Sequence, residues 1–127
     1  MSDFSPMYGE SPTGTRLPVN VDANGNLVVS ATSTPLQSAT ATLTSVTAAA
    51  SSTQLLAANT GRKSAYFYND SIAILYLAFA GSASTSAYTT QVPSQALYEM
   101  PVEPVYTGAI FGIWAAGAGA VRITELT

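Results

Sequence analysis

Beyond residue 53, no run of about twelve residues repeats its apolar side chains at the 3.6-residue helical period, and this limits the fold more than any other feature. Short apolar or alternating segments recur instead, set apart by turn-forming clusters at a spacing of about 8–12 residues. The segments are 54–57, 64–68, 72–79, 88–92, 95–100, 109–115 and 121–126. The breakers between them include Asn59-Thr60-Gly61, Asn69-Asp70-Ser71, Gly81, Pro93-Ser94, Pro101 and Gly117-Ala118-Gly119. Ahead of them, the Ala/Ser/Thr-rich stretch 39–50 has Leu43 and Val46 as its only large apolar residues. That is too few for a helical stripe, so the wider Ala/Ser/Thr-rich region 31–53 reads as a linker followed by a first, Thr-rich strand. The expected fold is all-β, an antiparallel, jelly-roll-like β-sandwich of about seven or eight strands.

Alternation assigns faces within these strands. In 72–79, Ala73, Leu75, Leu77 and Phe79 share one side while Ile72, Ile74, Tyr76 and Ala78 share the other. Both sides are apolar, so the strand is either central or has its second face against another subunit. Val121 and Ile123 oppose Arg122 and Thr124, the pattern of a half-buried edge strand. Trp114 is out of phase with Phe111, Ile113 and Ala115 and is either a core residue or an interface anchor.

The first 38 residues have a different character. Residues 1–16 hold Pro6, Gly9, Pro12 and Gly14 among Ser and Thr, which reads as an arm, extended or disordered unless something binds it. Leu17, Val19 and Val21 then alternate with polar residues and Pro18, Asn24-Gly25 turns the chain, and Leu27, Val28 and Val29 return. Asn-Gly between apolar runs is a strong hairpin signal because both residues tolerate a positive φ. The division expected is residues 1–38 as arm and hairpin and residues 39–127 as the sandwich.

Composition removes whole classes of function. With no Cys and no His, structural zinc sites, disulfides, catalytic thiols and Ser-His-Asp triads are out of reach. Four basic against seven acidic residues give a net charge of -3, opposed to nucleic-acid binding. Charged residues make up only 9% of the chain, where a free monomer of this size has a surface about 25–35% charged. Such a surface suits standing contact with other protein. The N-terminus lacks the basic and apolar regions of a secretion signal, and the longest apolar run, 72–80, is shorter than a membrane-spanning helix. No membrane partner is expected, and synthesis is expected in a cytoplasm.

The remaining chemical candidates are weak. Asp22-Ala23-Asn24-Gly25-Asn26 starts like a calcium loop, but the glycine comes too early and Ser33 stands where a bidentate Glu belongs, so a hairpin turn is expected. Gly117-Ala118-Gly119 lacks the third glycine of a dinucleotide loop and reads as a turn, as does Asn69-Asp70-Ser71. Glu99 and Glu103 are the closest carboxylate pair, with nothing in the sequence to give them a cleft. Arg62-Lys63 reads as a solvated turn or as a partner for a neighbouring subunit's carboxylate. No catalytic residue, cofactor or metal is expected, and the chain reads as a non-enzyme.

The run from Gln54-Leu55-Leu56-Ala57 through Asn59, Arg62 and Tyr68-Asn69-Asp70-Ser71 to Leu77 resembles small virion proteins of tailed bacteriophages. So do Tyr98-Glu99-Met100-Pro101, Tyr106-Thr107-Gly108 leading to Trp114, and Val121-Arg122-Ile123-Thr124-Glu125, while the 17–29 segment is similar to their lead-in. The resemblance covers roughly residues 17–127 and carries no catalytic residues. It implies a decoration or cement protein on the phage head surface, partnered by the major capsid protein and by copies of itself, with a homotrimer expected. A head fibre, a neck or tail component, or a carbohydrate- or receptor-binding module are the alternatives. On that reading Met7, Tyr8, Arg16, Leu17, Val19 and Val21 form the capsid-binding arm. Tyr66, Tyr68, Tyr76 and Trp114 are the candidates for a subunit interface.

Overall fold

Antiparallel pairing organises every strand in the computed structural model, which describes residues 8–10, 16–18, 21–27 and 36–127. Two units are present, Met1–Pro35 and Leu36–Thr127, dividing at Pro35 where the sequence reading places the boundary after residue 38.

In the first unit, β1 (Tyr8–Glu10) pairs with β2 (Arg16–Pro18), Gly9 lying opposite Leu17. The sequence reading gives residues 1–16 as an extended or disordered arm and names no pairing partner for it. Farther on, Val21 bridges Leu27 around a turn whose Gly25 has a φ of 83°. Asp22 organises that turn. Its Oδ1 accepts the Asn24 and Asn26 backbone N–H groups at 2.8 and 2.9 Å, and its Oδ2 accepts Asn26 Nδ2 at 3.0 Å. Both carboxylate oxygens are therefore taken by N–H donors, which suits an Asx-stabilised turn and not a calcium loop. Met7, Val19, Val28 and Val29 lie outside the described residues.

The second unit holds eight strands: β3 (Ala41–Thr47), β4 (Thr53–Leu56), β5 (Ser64–Ser71), β6 (Leu75–Ala78), β7 (Thr90–Val92), β8 (Leu97–Glu99), β9 (Ile110–Trp114) and β10 (Gly119–Leu126). They form two four-stranded sheets, in the orders β3-β10-β5-β8 and β4-β9-β6-β7. Pairing is nested: β3 with β10, β4 with β9, β5 with β8, β6 with β7. One long hairpin of four strand pairs, rolled so that β10 also meets β5 and β9 also meets β6, is the jelly-roll topology. Among the described residues there is no helix, and the all-β sandwich read from the sequence is the observed fold.

Alternation fills the space between the sheets. Ala65, Phe67, Val121 and Ile123 of the first sheet meet Leu55, Leu75, Leu77, Val92, Ile110 and Trp114 of the second. Gly112 is needed in this layer because a Cβ there would stand 2.8 Å from Leu55 and Leu75 Cδ1.

Three readings of the strands are corrected. Asn69-Asp70-Ser71 is the end of β5 and not a turn, because Asn69 and Ser71 point inward and find hydrogen-bond partners there. Tertiary satisfaction of the side chain overrides the turn preference of these residues. The apolar run 72–79 is only partly strand. Ala73 O accepts Asn69 Nδ2 at 2.8 Å, and this closes a turn that leaves Ile72 81% exposed before β6 begins at Leu75. Finally, β10 is central and not an edge. Its polar alternate residues, such as Arg122, point away from the core between the two sheets.

Gly119 opens β10 at a φ of 99°, and a Cβ there would meet Asp70 O at 2.6 Å. Gly119→Ala should lower stability by about 2 kcal/mol or more in urea unfolding, since left-handed strain and a backbone clash combine. Gly81→Ala, which meets nothing within 4 Å, should be close to neutral. Equal effects would refute this assignment.

The Asp22 carboxyl is held below its ordinary value, first by the Asn26 side chain and then by the Asn26 and Asn24 backbone N–H groups. A depressed carboxyl stabilises its turn above the unfolded value, about 3.9, and that contribution is lost as pH falls through the lower folded value. The Asn24 and Asn26 amide resonances should therefore report the Asp22 titration, with a midpoint below about 3.9. A midpoint at or above that value would contradict the geometry.

Candidate interaction surfaces

Arg62 enters β5 from the Asn59-Thr60-Gly61 turn and is sealed at one end of the sandwich, with 2% of its surface exposed. Its Nε meets Glu125 Oε2 at 2.6 Å, and Asn59 Nδ2 donates to Glu125 Oε1 at 3.1 Å. Its remaining nitrogens donate to the carbonyls of Ala57, Tyr106 and Gly108 at 2.6–2.9 Å. The guanidinium therefore joins β10 of one sheet to the chain flanking β4 and β9 of the other. This corrects the expected solvated doublet. The partner lies 63 residues away in sequence, where local pattern does not reach.

Asn69 does similar work toward the other end of β5. Its Nδ2 donates to the carbonyls of Ala73, Val92 and Pro93, while its Oδ1 accepts Trp114 Nε1 at 3.2 Å and Ser71 Oγ at 2.7 Å. Trp114 is 1% exposed and belongs to the core. It offers no surface to a partner and leaves the set of interface candidates. An aromatic needing one hydrogen bond found it in a strand residue that the sequence marks only as a turn former.

The other interface candidates are outward-facing and half-buried, but they do not form one surface. Tyr66 and Tyr68 stand on β5 in the first sheet, and Tyr76 on β6 in the second. The two outer faces differ in chemistry. Across the first sheet runs a polar band. Tyr68 donates to Gln95 Oε1 at 2.8 Å, and Arg122 reaches Asp70 Oδ2 at 3.1 Å and Ser45 Oγ at 2.9 Å. The second sheet carries no charged residue in any of its four strands. Its outer side shows Phe111 and Ile113 opposite Ala78 and Tyr76, with Tyr88 edge-on to Tyr76 at 5.0 Å.

A cleft of about 270 Å³ lies at the rim of the first sheet, lined by Leu36, Ser38, Lys63, Tyr66, Glu99 and Leu126 among others. It holds one cation and one carboxylate. Glu103 does not line it, so the candidate carboxylate pair is not brought together there. Among the described residues no three His, Cys, Asp or Glu side chains gather as metal ligands. Of the arm candidates, Tyr8 lies in β1, Arg16 and Leu17 in β2, and Val21 in the bridge to Leu27, where it is exposed. Comparison with family models, curated proteins and solved structures finds no match.

Removing the guanidinium leaves Glu125 and three carbonyls short of donors in a partly buried site. Arg62→Ala should cost about 3–5 kcal/mol, read as a lower urea midpoint at unchanged slope. Lys63→Ala, next to it, should cost under about 1 kcal/mol. A loss for Arg62→Ala no larger than for Lys63→Ala would show that the clamp is dispensable.

Proposed function

We propose that this protein is a non-enzymatic structural component of a bacteriophage virion, a decoration protein that binds the head surface and stabilises it. The observation that carries the reading is the uncharged, aromatic outer face of the β4-β9-β6-β7 sheet on a jelly-roll scaffold. Jelly rolls recur in viral shells, and an apolar patch of this kind on a folded domain marks a protein contact. The low overall charge supports the same reading, as does the resemblance to small virion proteins. The partner is the major capsid protein, and the first unit, Met1–Pro35, is the arm that extends the contact. The virion is the proposed location.

On this reading Phe111, Ile113 and Tyr76 supply buried area at the contact, with Tyr88 as a neighbouring amphipathic ring. Their side chains point away from the core, so they can be changed without opening it.

The test is cosedimentation of the purified protein with heads of the encoding phage lacking it. Wild type should bind at a copy number comparable to the shell subunit. Ile113→Lys and Phe111→Asp should weaken binding by at least about tenfold, or about 1.4 kcal/mol, while unfolding as wild type does. Binding as one ring per particle would place the protein at the neck or tail. Capture of glycans by the free protein, lost on Tyr76→Ala, would assign the aromatic face to sugar rings. Either result would overturn the decoration role.

A further inference from the structure

The sandwich has four sheet edges, and three of them are blunted. β7 and β8 have three residues each; β7 runs into Pro93, and β8 contains Glu99 and is followed by Pro101. β4 has four residues and a register shift between Gln54 and Leu56. Short length, proline, bulges and charge are the usual devices that stop an edge from pairing with other chains. β3 has none of them. It is seven residues long, Ala-Thr-Leu-Thr-Ser-Val-Thr, with no charge, proline, glycine or bulge.

Its backbone polarity can be assigned. Ala48 N–H donates to Gly119 O, and Thr40 O accepts Thr127 N–H. In a regular antiparallel strand the direction of these groups alternates, so Thr42, Thr44 and Val46 also face β10. Ala41, Leu43, Ser45 and Thr47 then aim their N–H and C=O groups away from the sheet. Among the described residues β3 pairs with β10 alone. All its residues but Val46 are exposed, Leu43 by 78%.

We infer that the outer edge of β3 is a strand-pairing site and that its occupant is β3 of a second copy, joined antiparallel about a two-fold axis through Thr44. That register sets Leu43 opposite Ser45 and Ala41 opposite Thr47, forming about eight backbone hydrogen bonds. Two features fit a second copy paired through this same edge. The edge is uncharged along its length, so two copies meet without like charges opposed. No other edge of this sandwich matches its length. The product is a continuous eight-stranded sheet, β8-β5-β10-β3 followed by its symmetry mate. A two-fold contact of this kind closes on itself and uses up the edge, which a pairing-competent strand otherwise leaves open to aggregation. It yields a dimer, where the sequence reading expects a trimer, and it holds whether or not the protein coats a phage head.

The test combines sedimentation equilibrium of the full-length protein with residue-resolved hydrogen exchange. Wild type should be a dimer with slow exchange at Leu43, Ser45 and Thr47. Ser45→Pro removes an outward donor without touching the β10 ladder, and Leu43→Lys puts a charge at the joint. Each should weaken dimerisation by at least tenfold and free the outward amides. The Thr42, Thr44 and Val46 amides should stay protected throughout, showing that the fold persists. A monomeric wild type would overturn the proposal, whether its outward amides exchange freely or are covered by something other than a second copy. A dimer indifferent to both substitutions would overturn it as well.

Discussion

Polar groups sealed between two sheets must be satisfied, and the sandwich is built around that requirement. Arg62 and Asn69 stand toward opposite ends of β5, one just before the strand and one near its close. Each reaches from the first sheet into the second: Arg62 from Glu125 to the carbonyls of Ala57, Tyr106 and Gly108, Asn69 to Trp114 and the carbonyls of Val92 and Pro93. Apolar packing between sheets is non-directional and would tolerate sliding; a guanidinium bonded through all three of its nitrogens and a fully bonded amide do not. The register of one sheet over the other is therefore set by polar contacts at the rims, with Phe67, Leu75, Leu77, Ile110 and Ile123 filling the space between.

With register settled inside, the outside is left to function, and its two faces divide the work. The β3-β10-β5-β8 face carries Arg122 and Asp70, which pair with each other. The β4-β9-β6-β7 face has no charge and offers aromatic and aliphatic side chains. A free protein gains solubility from charge, so a whole sheet without any is better suited to a surface that is covered. The same economy marks β3, an edge with none of the usual protection.

Much of the architecture is legible in the sequence, because period-two alternation and regularly spaced turn signals are local properties. They place β4 to β10 to within a few residues, and the Asn24-Gly25 turn as well, while β3 is expected only as a Thr-rich strand somewhere in 31–53. What escapes is non-local. Arg62 looks solvated until Glu125 arrives from the far end of the chain. Asn69 and Ser71 look like a turn until Trp114 and the carbonyls of the second sheet supply their partners. Trp114 fits either core or interface until its indole N–H is seen bonded inside. The polar alternation of β10 suggests an edge, since sequence cannot tell an uncovered face from an uncovered side. The contrast between the two outer faces requires knowing which strands are neighbours, and that follows only from the topology.

The central claim is that this jelly roll serves as a covering element whose uncharged sheet lies against a shell. A cryo-electron microscopy reconstruction of the particle proposed to carry the protein tests it most directly. The account predicts jelly-roll density on the head exterior, with the side chains of Phe111, Ile113 and Tyr76 turned toward the capsid lattice. Density that points this face at solvent, or a head surface without the protein, would contradict it.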